Sequence, residues 1–199
     1  MAKASVTRSL LLEAAAEVIV RKGYEAASVD EIAERADVSK GVVYYHFKNK
    51  ADVAQSLLID GLDRLTKRFV EISRQEATAQ SALTEMLRTF INGIYEHQLF
   101  GSFLLSEISS DGRPWSQLVH ERENVLIRIV VCEIERAKME GYATKDLDAQ
   151  FAAVIIIGAV VAAAHRFIVQ SSADQKDVLL LQLEKFEHRV LTCNEASSH

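Results

Sequence analysis

One proline and eight glycines in 199 residues are too few turn-formers for a many-stranded sheet, whose strands must reverse every few residues. Cysteine is almost as scarce. Cys132 and Cys193 stand far apart with no second ligand at metal spacing, which excludes a disulfide framework and leaves free thiols in a reducing cytoplasm as the expectation. His97, His120, His165 and His188 are dispersed, so no metal site is expected. The chain also lacks a glycine-rich phosphate loop, a nucleophile elbow and an H-E-x-x-H pair. Catalysis and a bound cofactor therefore have no support. The longest apolar stretch, Phe151 to Ala164, falls short of the roughly 20 residues a bilayer span needs, and is read as a buried helix. Glu13 and Glu17 interrupt the first apolar stripe, which argues against a signal peptide.

What is abundant is alanine, leucine, valine and glutamate, and 49% of residues are hydrophobic. These favour helix and a sizeable core, so the fold class is all-α. The net charge of -5 is unevenly spread. The first 50 residues sum to a slight positive charge. Val38 to Lys50 holds Lys40, His46, Lys48 and Lys50 with no carboxylate. A small cationic face on an acidic body suits a local contact with phosphates.

Helical spacing of Leu10, Leu11, Ala14, Ala15, Val18 and Ile19 predicts a first helix over 6–22, closed by Gly23. Ser28 and Glu31 form a capping box that opens a second helix. Asp37-Val38-Ser39 is a short turn, with Ser39 as N-cap of a brief third helix over 40–47. Asn49 caps a long fourth helix running past residue 70. Further helices are predicted near 79–97, 99–109, 115–140, 146–170 and 174–193. The chain divides into a head, 1–50, and a body, 51–199.

Two short helices joined by a tight turn, the second basic and aromatic, match a helix-turn-helix. Val43 and Phe47 can anchor the second helix while Lys40, Gly41, Val42, Tyr44, Tyr45 and His46 remain free to face a major groove. Lys40 and Val42 are candidates for base edges, and Gly41 allows close backbone approach. Tyr44 and Tyr45 can reach phosphates or bases. Ser28, Ser39, His46 and Lys50 are candidate phosphate contacts, whereas Tyr24 is read as packing the first helix on the second.

Thr7, Arg8, Leu10, Leu11, Ala14 and Ala15, then Lys22-Gly23-Tyr24, then Ser28-Val29, Ile32-Ala33, Ala36 and the run Val38 to Lys50 resemble the DNA-binding domain of TetR-type regulators. Val43 departs from the commoner leucine. The likeness covers about a quarter of the chain. It implies a homodimer that binds a palindromic double-stranded DNA operator, and a helical body whose small-molecule effector changes the spacing of the two heads. Repression is the commoner outcome in that family.

The last two helices are the dimer candidates. Phe151 to Val161 is apolar nearly all round, and Val178, Leu179, Leu181, Leu183, Phe186 and Val190 fit no single stripe. Phe90, Tyr95, Phe100, Phe103, Trp115 and His165 are candidates to line the effector pocket, with Glu107 and His120 as polar anchors. A non-specific architectural DNA protein and a small-molecule carrier with a vestigial head remain alternatives. The acidic net charge weighs against the first and the intact run Lys40 to Lys50 against the second.

Overall fold

A computed structural model describes residues 2–108, 112–168 and 175–192, with the side chains of residues 2–6 and 168 left aside. The described residues form helices α1 (Ala2–Lys22), α2 (Val29–Arg35), α3 (Lys40–His46), α4 (Lys50–Gln75), α5 (Ala79–Glu96), α6 (Gln98–Ile108), α7 (Ser116–Met139), α8 (Ala149–Ile168) and α9 (Lys176–Thr192), and no strand. The expected helix ends at 109, 169–170, 174 and 193 lie outside the described residues, as does Cys193. Cys132 is exposed.

Local chemistry sets the first boundaries. Gly23 ends α1 at φ +79°, donating its N–H to the Ile19 carbonyl at 2.7 Å. The missing Cβ makes that left-handed turn cheap. The Ser28–Glu31 capping box opens α2 with both of its reciprocal bonds in place. Asp37 takes φ +52°, a value unusual outside glycine. That residue turns the chain so sharply that the Val38 N–H reaches back to the Ala33 carbonyl at 3.0 Å. The Asn49 side chain accepts from the Asp52 N–H at 2.9 Å and starts α4.

Leu11, Ala14, Ala15, Val18 and Ile19 of α1 pack on Ile32, Ala33, Val43 and Phe47. Leu10, expected in that stripe, is exposed. It lies about a third of a turn away from Leu11, outside the buried arc. The α4 helix leaves the head and enters the body, where Leu58, Leu62, Phe69 and Ile72 are buried. Helices α5 and α7 pack against it, α8 packs on α5, α6 and α7, α9 packs on α5 and α8, and α6 crosses back beneath α1.

Gly61 and Gly101 fix where α6 sits. A Cβ on Gly61 would lie 1.9 Å from the Phe100 ring, and one on Gly101 would lie 2.7 Å from Ile94 Cγ2. Phe100 therefore fills the notch that Gly61 leaves in α4. Helix α8 carries its apolar character further than the stretch Phe151–Ala164: over Ala149–Phe167 it is long and apolar enough to cross a membrane by length and composition. One side packs through Ala152, Ala153, Ile156 and Val160. The other leaves Phe151, Val154, Ile155 and Phe167 exposed, and α9 likewise exposes Val178, Leu181 and Phe186.

Candidate functional site

Helix α3 is anchored from below and open above. Val43 and Phe47 are 1% and 3% exposed, while Tyr44 and Tyr45 are 49% and 80% exposed. Lys40 and Gly41 are exposed as well, and Val42 and His46 are half-buried. Nothing inside the protein requires glycine at 41, where a Cβ would meet only the Ser39 hydroxyl oxygen at 3.8 Å. Ser39 is the N-cap by position, but its hydroxyl makes no capping bond.

Lys40 and Lys50, beside the exposed face of α3, already have partners inside the protein. The Lys40 ammonium lies 2.7 Å from Asp30 Oδ1, and that bond holds it above the ordinary lysine range. Ser28 donates its hydroxyl to Glu31 Oε2 at 2.9 Å and accepts from the Glu31 N–H at 3.2 Å. Lys22 first, and Ser28 second, hold the Glu31 carboxyl below its usual range. Lys50 donates to the carbonyls of Tyr24 and Glu25 at 2.7 and 2.9 Å and lies over the Tyr24 ring at 4.5 Å. Two of its three donors thus clamp the α1–α2 turn, and one is left for any outside partner.

The body holds an apolar cavity of about 80 Å³, partly open to solvent, between α4, α5, α7, α8 and α9. Leu62, Phe69, Met86, Val130, Ile156 and Val160 are among its walls, and Glu123 and Glu187 supply two carboxyls. Burial, and then Glu184, push Glu187 up to about 7, and burial also raises Glu123. A groove facing the head, lined by Leu12, Leu57, Arg64, Arg68 and Phe100, shares Leu65 and Phe90 with this cavity. Those two side chains are the partition between groove and cavity.

Residues 11–57 match the bacterial regulatory proteins of the tetR family. Its head is a TetR-type DNA-binding domain, and the chain is a DNA-binding transcriptional regulator. It is 25% identical over 150 residues to the fatty acid metabolism regulator protein of Bacillus subtilis, covering 75% of this chain and 77% of that one. It is 38% identical over 100 residues to the HTH-type transcriptional activator FasR of Mycolicibacterium smegmatis, covering 50% and 45%. The crystal structure of FadR from Bacillus subtilis in complex with stearoyl-CoA superposes with a TM-score of 0.81 at 22% identity, over 96% of this chain and 99% of that chain. These relatives are regulators and not enzymes, and so is this chain.

In this regulator the groups expected to line one pocket are dispersed. Phe90 lines the cavity and the head-facing groove, Phe100 lines that groove alone, and His165 lines a groove between α6, α7 and α8 that shares Ile108, Glu123, Ile157 and Val161 with the cavity. Trp115 does not line the cavity. It is fully buried, meets Tyr24 edge to face, and donates from Nε1 to Glu107 at 3.1 Å. Phe103 also meets Trp115 edge to face, at 6.5 Å between ring centroids. Arg113 pairs with Glu107 and Glu25 and covers the Tyr24 ring. Glu107 is therefore an anchor for the joint between head and body. Tyr24 packs against the body as well as inside the head, which also raises its hydroxyl pKa by burial. Tyr95 and His120 are likewise absent from the cavity wall. The wall that does exist is mostly aliphatic, with Phe69 and Phe90, and sequence reasoning passed over Glu187. The signal was present: Leu179, Leu183, Glu187 and Leu191 recur every fourth residue, so a carboxylate sits in the buried stripe of α9.

Proposed function

We propose that the protein is a ligand-responsive repressor that binds a palindromic operator as a homodimer. The observation that carries the reading is the helix α3 that is buried on Val43 and Phe47 and holds Tyr44 and Tyr45 out in water. Lys40 and Val42 are assigned to base edges. Tyr44, Tyr45, His46 and the uncapped Ser39 are assigned to bases or phosphates, with Gly41 admitting the backbone close to DNA. Ser28 and Lys50 reach phosphate only with hydrogen-bonding capacity left over from the contacts that hold the head together.

The exposed apolar faces of α8 and α9 are the proposed dimer surface. Two helices from each subunit would form a four-helix seam and cover Phe151, Ile155, Val178 and Leu181. Two heads on such a dimer read half-sites about one helical turn apart, roughly 10 bp or a little more. The division of labour falls near residue 50, and the protein acts in the cytoplasm, where its DNA is.

The cavity is the proposed effector site. Its walls favour an elongated apolar molecule, and the fold neighbour crystallised with stearoyl-CoA supports that choice. The void has room for several waters at ~10–15 Å³ each, so a longer ligand enters only as Leu65 and Phe90 part.

The test is anisotropy binding to the DNA upstream of the protein's own gene, against random duplex at physiological salt, followed by transcription in vitro from that promoter. Selective binding with reduced transcript supports repression, while selective binding with increased transcript makes the protein an activator. Equal affinity for the duplexes, repeated in a genome-wide selection, removes the operator reading.

A further inference from the structure

The cavity carries a polar wall group that an apolar ligand does not explain. Glu187 is 5% exposed, and its carboxyl lines the cavity among leucines, isoleucines and valines. No hydrogen bond or ion pair holds it among the described residues. Its neighbour Glu184, about one turn back on α9, is paired with Arg88 of α5 at 2.6 Å. The same helix thus satisfies one carboxylate and leaves the more buried one open. Glu123, on α7, lines the same cavity and is also without a hydrogen bond among the described residues. No lysine, arginine or histidine is among the described lining residues.

Leaving a buried carboxyl unpartnered costs stability, and leucine or methionine would fill the position without that cost. A carboxyl offers acceptor oxygens to a ligand, so the missing partner is a donor. A hydrocarbon end would leave Glu187 unsatisfied. An anionic end would meet two acids and no cation. Burial holds Glu187 close to half-protonated at neutral pH, so it can accept from a hydroxyl or ion-pair with an ammonium without a large reorganisation.

We propose that the effector is an elongated apolar molecule whose buried end carries a hydrogen-bond donor, a hydroxyl or an amine, and that this end seats on the Glu187 carboxyl, with Glu123 as the second acceptor of the cavity. The proposal rests on the reading of the cavity as the effector site.

The test titrates the full-length protein by calorimetry with four chains of matched length: octan-1-ol, octylamine, octanoate and octyl methyl ether. Octanol and octylamine should bind at least about ten-fold tighter than the ether and octanoate. In Glu187→Met the ether should still bind and that preference should collapse. Glu187→Gln, close in shape to the native residue, guards against a folding failure in the methionine variant: its amide cannot match the ammonium charge, and octylamine should weaken about ten-fold. Binding of all four chains alike overturns the donor proposal and leaves the cavity reading standing. So does a preference that survives in Glu187→Met, or, where the native protein prefers octylamine, an octylamine affinity unchanged in Glu187→Gln. If none of the four binds the native protein, the cavity reading falls together with the proposal. A preference for only one of the two donors supports the proposal and names the donor.

Discussion

Tyr24 of the head and Trp115 of the body meet edge to face, with ring centroids 4.6 Å apart and planes at 83°. Edge-on contact sets the positive rim of one ring against the negative face of the other. Arg113 lies over both rings and pairs with Glu25 and Glu107, so one guanidinium ties the α1–α2 turn to α6 and α7. Lys50 holds the same turn from the α4 side. Any movement of the cavity walls that shifts α6 or the start of α7 must pull on this turn.

That joint can be cut at the Tyr24 side chain, which leaves the backbone carbonyls that hold Lys50 in place. Tyr24→Leu should keep the fold and the operator affinity while weakening the response to effector. A Tyr24–Trp115 double-mutant cycle should return a coupling of about 0.5–1.5 kcal/mol. An effector response in Tyr24→Leu equal to that of the native protein would remove this joint from the signalling route.

The reader face separates stability from binding. Tyr45 is 80% exposed, so Tyr45→Ala should change folding stability by less than about 0.5 kcal/mol. Operator affinity should fall by about 1–3 kcal/mol, the usual loss for a base-edge contact. Urea unfolding and anisotropy on the same preparation check both halves. Val43→Ala should do the reverse, unfolding the head before any contact is lost.

Dimerisation is testable on residues that take no part in the monomer core. Leu181→Arg and Phe151→Glu place charges on the exposed faces of α8 and α9. Either variant should sediment as a folded monomer with unchanged helical circular dichroism and lose its preference for a two-half-site operator. A dimer persisting in both variants moves the interface elsewhere.

Glu187 makes stability depend on pH in a direction opposite to most carboxylates. Its native value is about 7 and its unfolded value the ordinary 4.5. Between those two the native state holds more protons, so stability falls as pH rises through that window and is level above it. The full drop is about 3 kcal/mol. Glu184 on α9 raises it, Glu123 faces it from α7, and Tyr142 at the end of α7 feels its charge. Glu187→Gln removes the titration. The variant should therefore match the native protein near pH 4.5 and exceed it at pH 8, as read by urea midpoints.

The notch at Gly61 admits no side chain. Gly61→Ala should force Phe100 off its seat and cost about 1–3 kcal/mol by overpacking, even though alanine is the better helix former. Phe100→Leu in the same chain should recover part of that loss. Additive effects would mean that the two residues do not share the notch.

The head was legible because its determinants are local. The capping box, the Gly23 stop, the Asn49 cap and the anchors Val43 and Phe47 all act within a few residues of each other in sequence. The joint and the cavity are not local. Tyr24 and Trp115 are brought together by the fold alone, and a tryptophan beside a glutamate reads equally well as a pocket wall. The cavity lining shares its residue types and spacing with ordinary core, since Leu62, Leu83, Val130 and Ile156 are stripe positions like any other. Only Glu187 breaks the pattern. Its position in the stripe is visible in the sequence, whereas the empty space beside it depends on four other helices.

The Lys40–Asp30 pair has a consequence for how the protein holds DNA in salt. A free lysine that meets a phosphate displaces a condensed counterion, and each such event steepens the fall of affinity with ionic strength. On the proposed reading Lys40 turns to a base edge rather than to a phosphate, and it must first leave Asp30. Counting the cations on α3 and its flanks therefore overstates how many are free to neutralise phosphates, since Lys40 and Lys50 already have partners inside the protein.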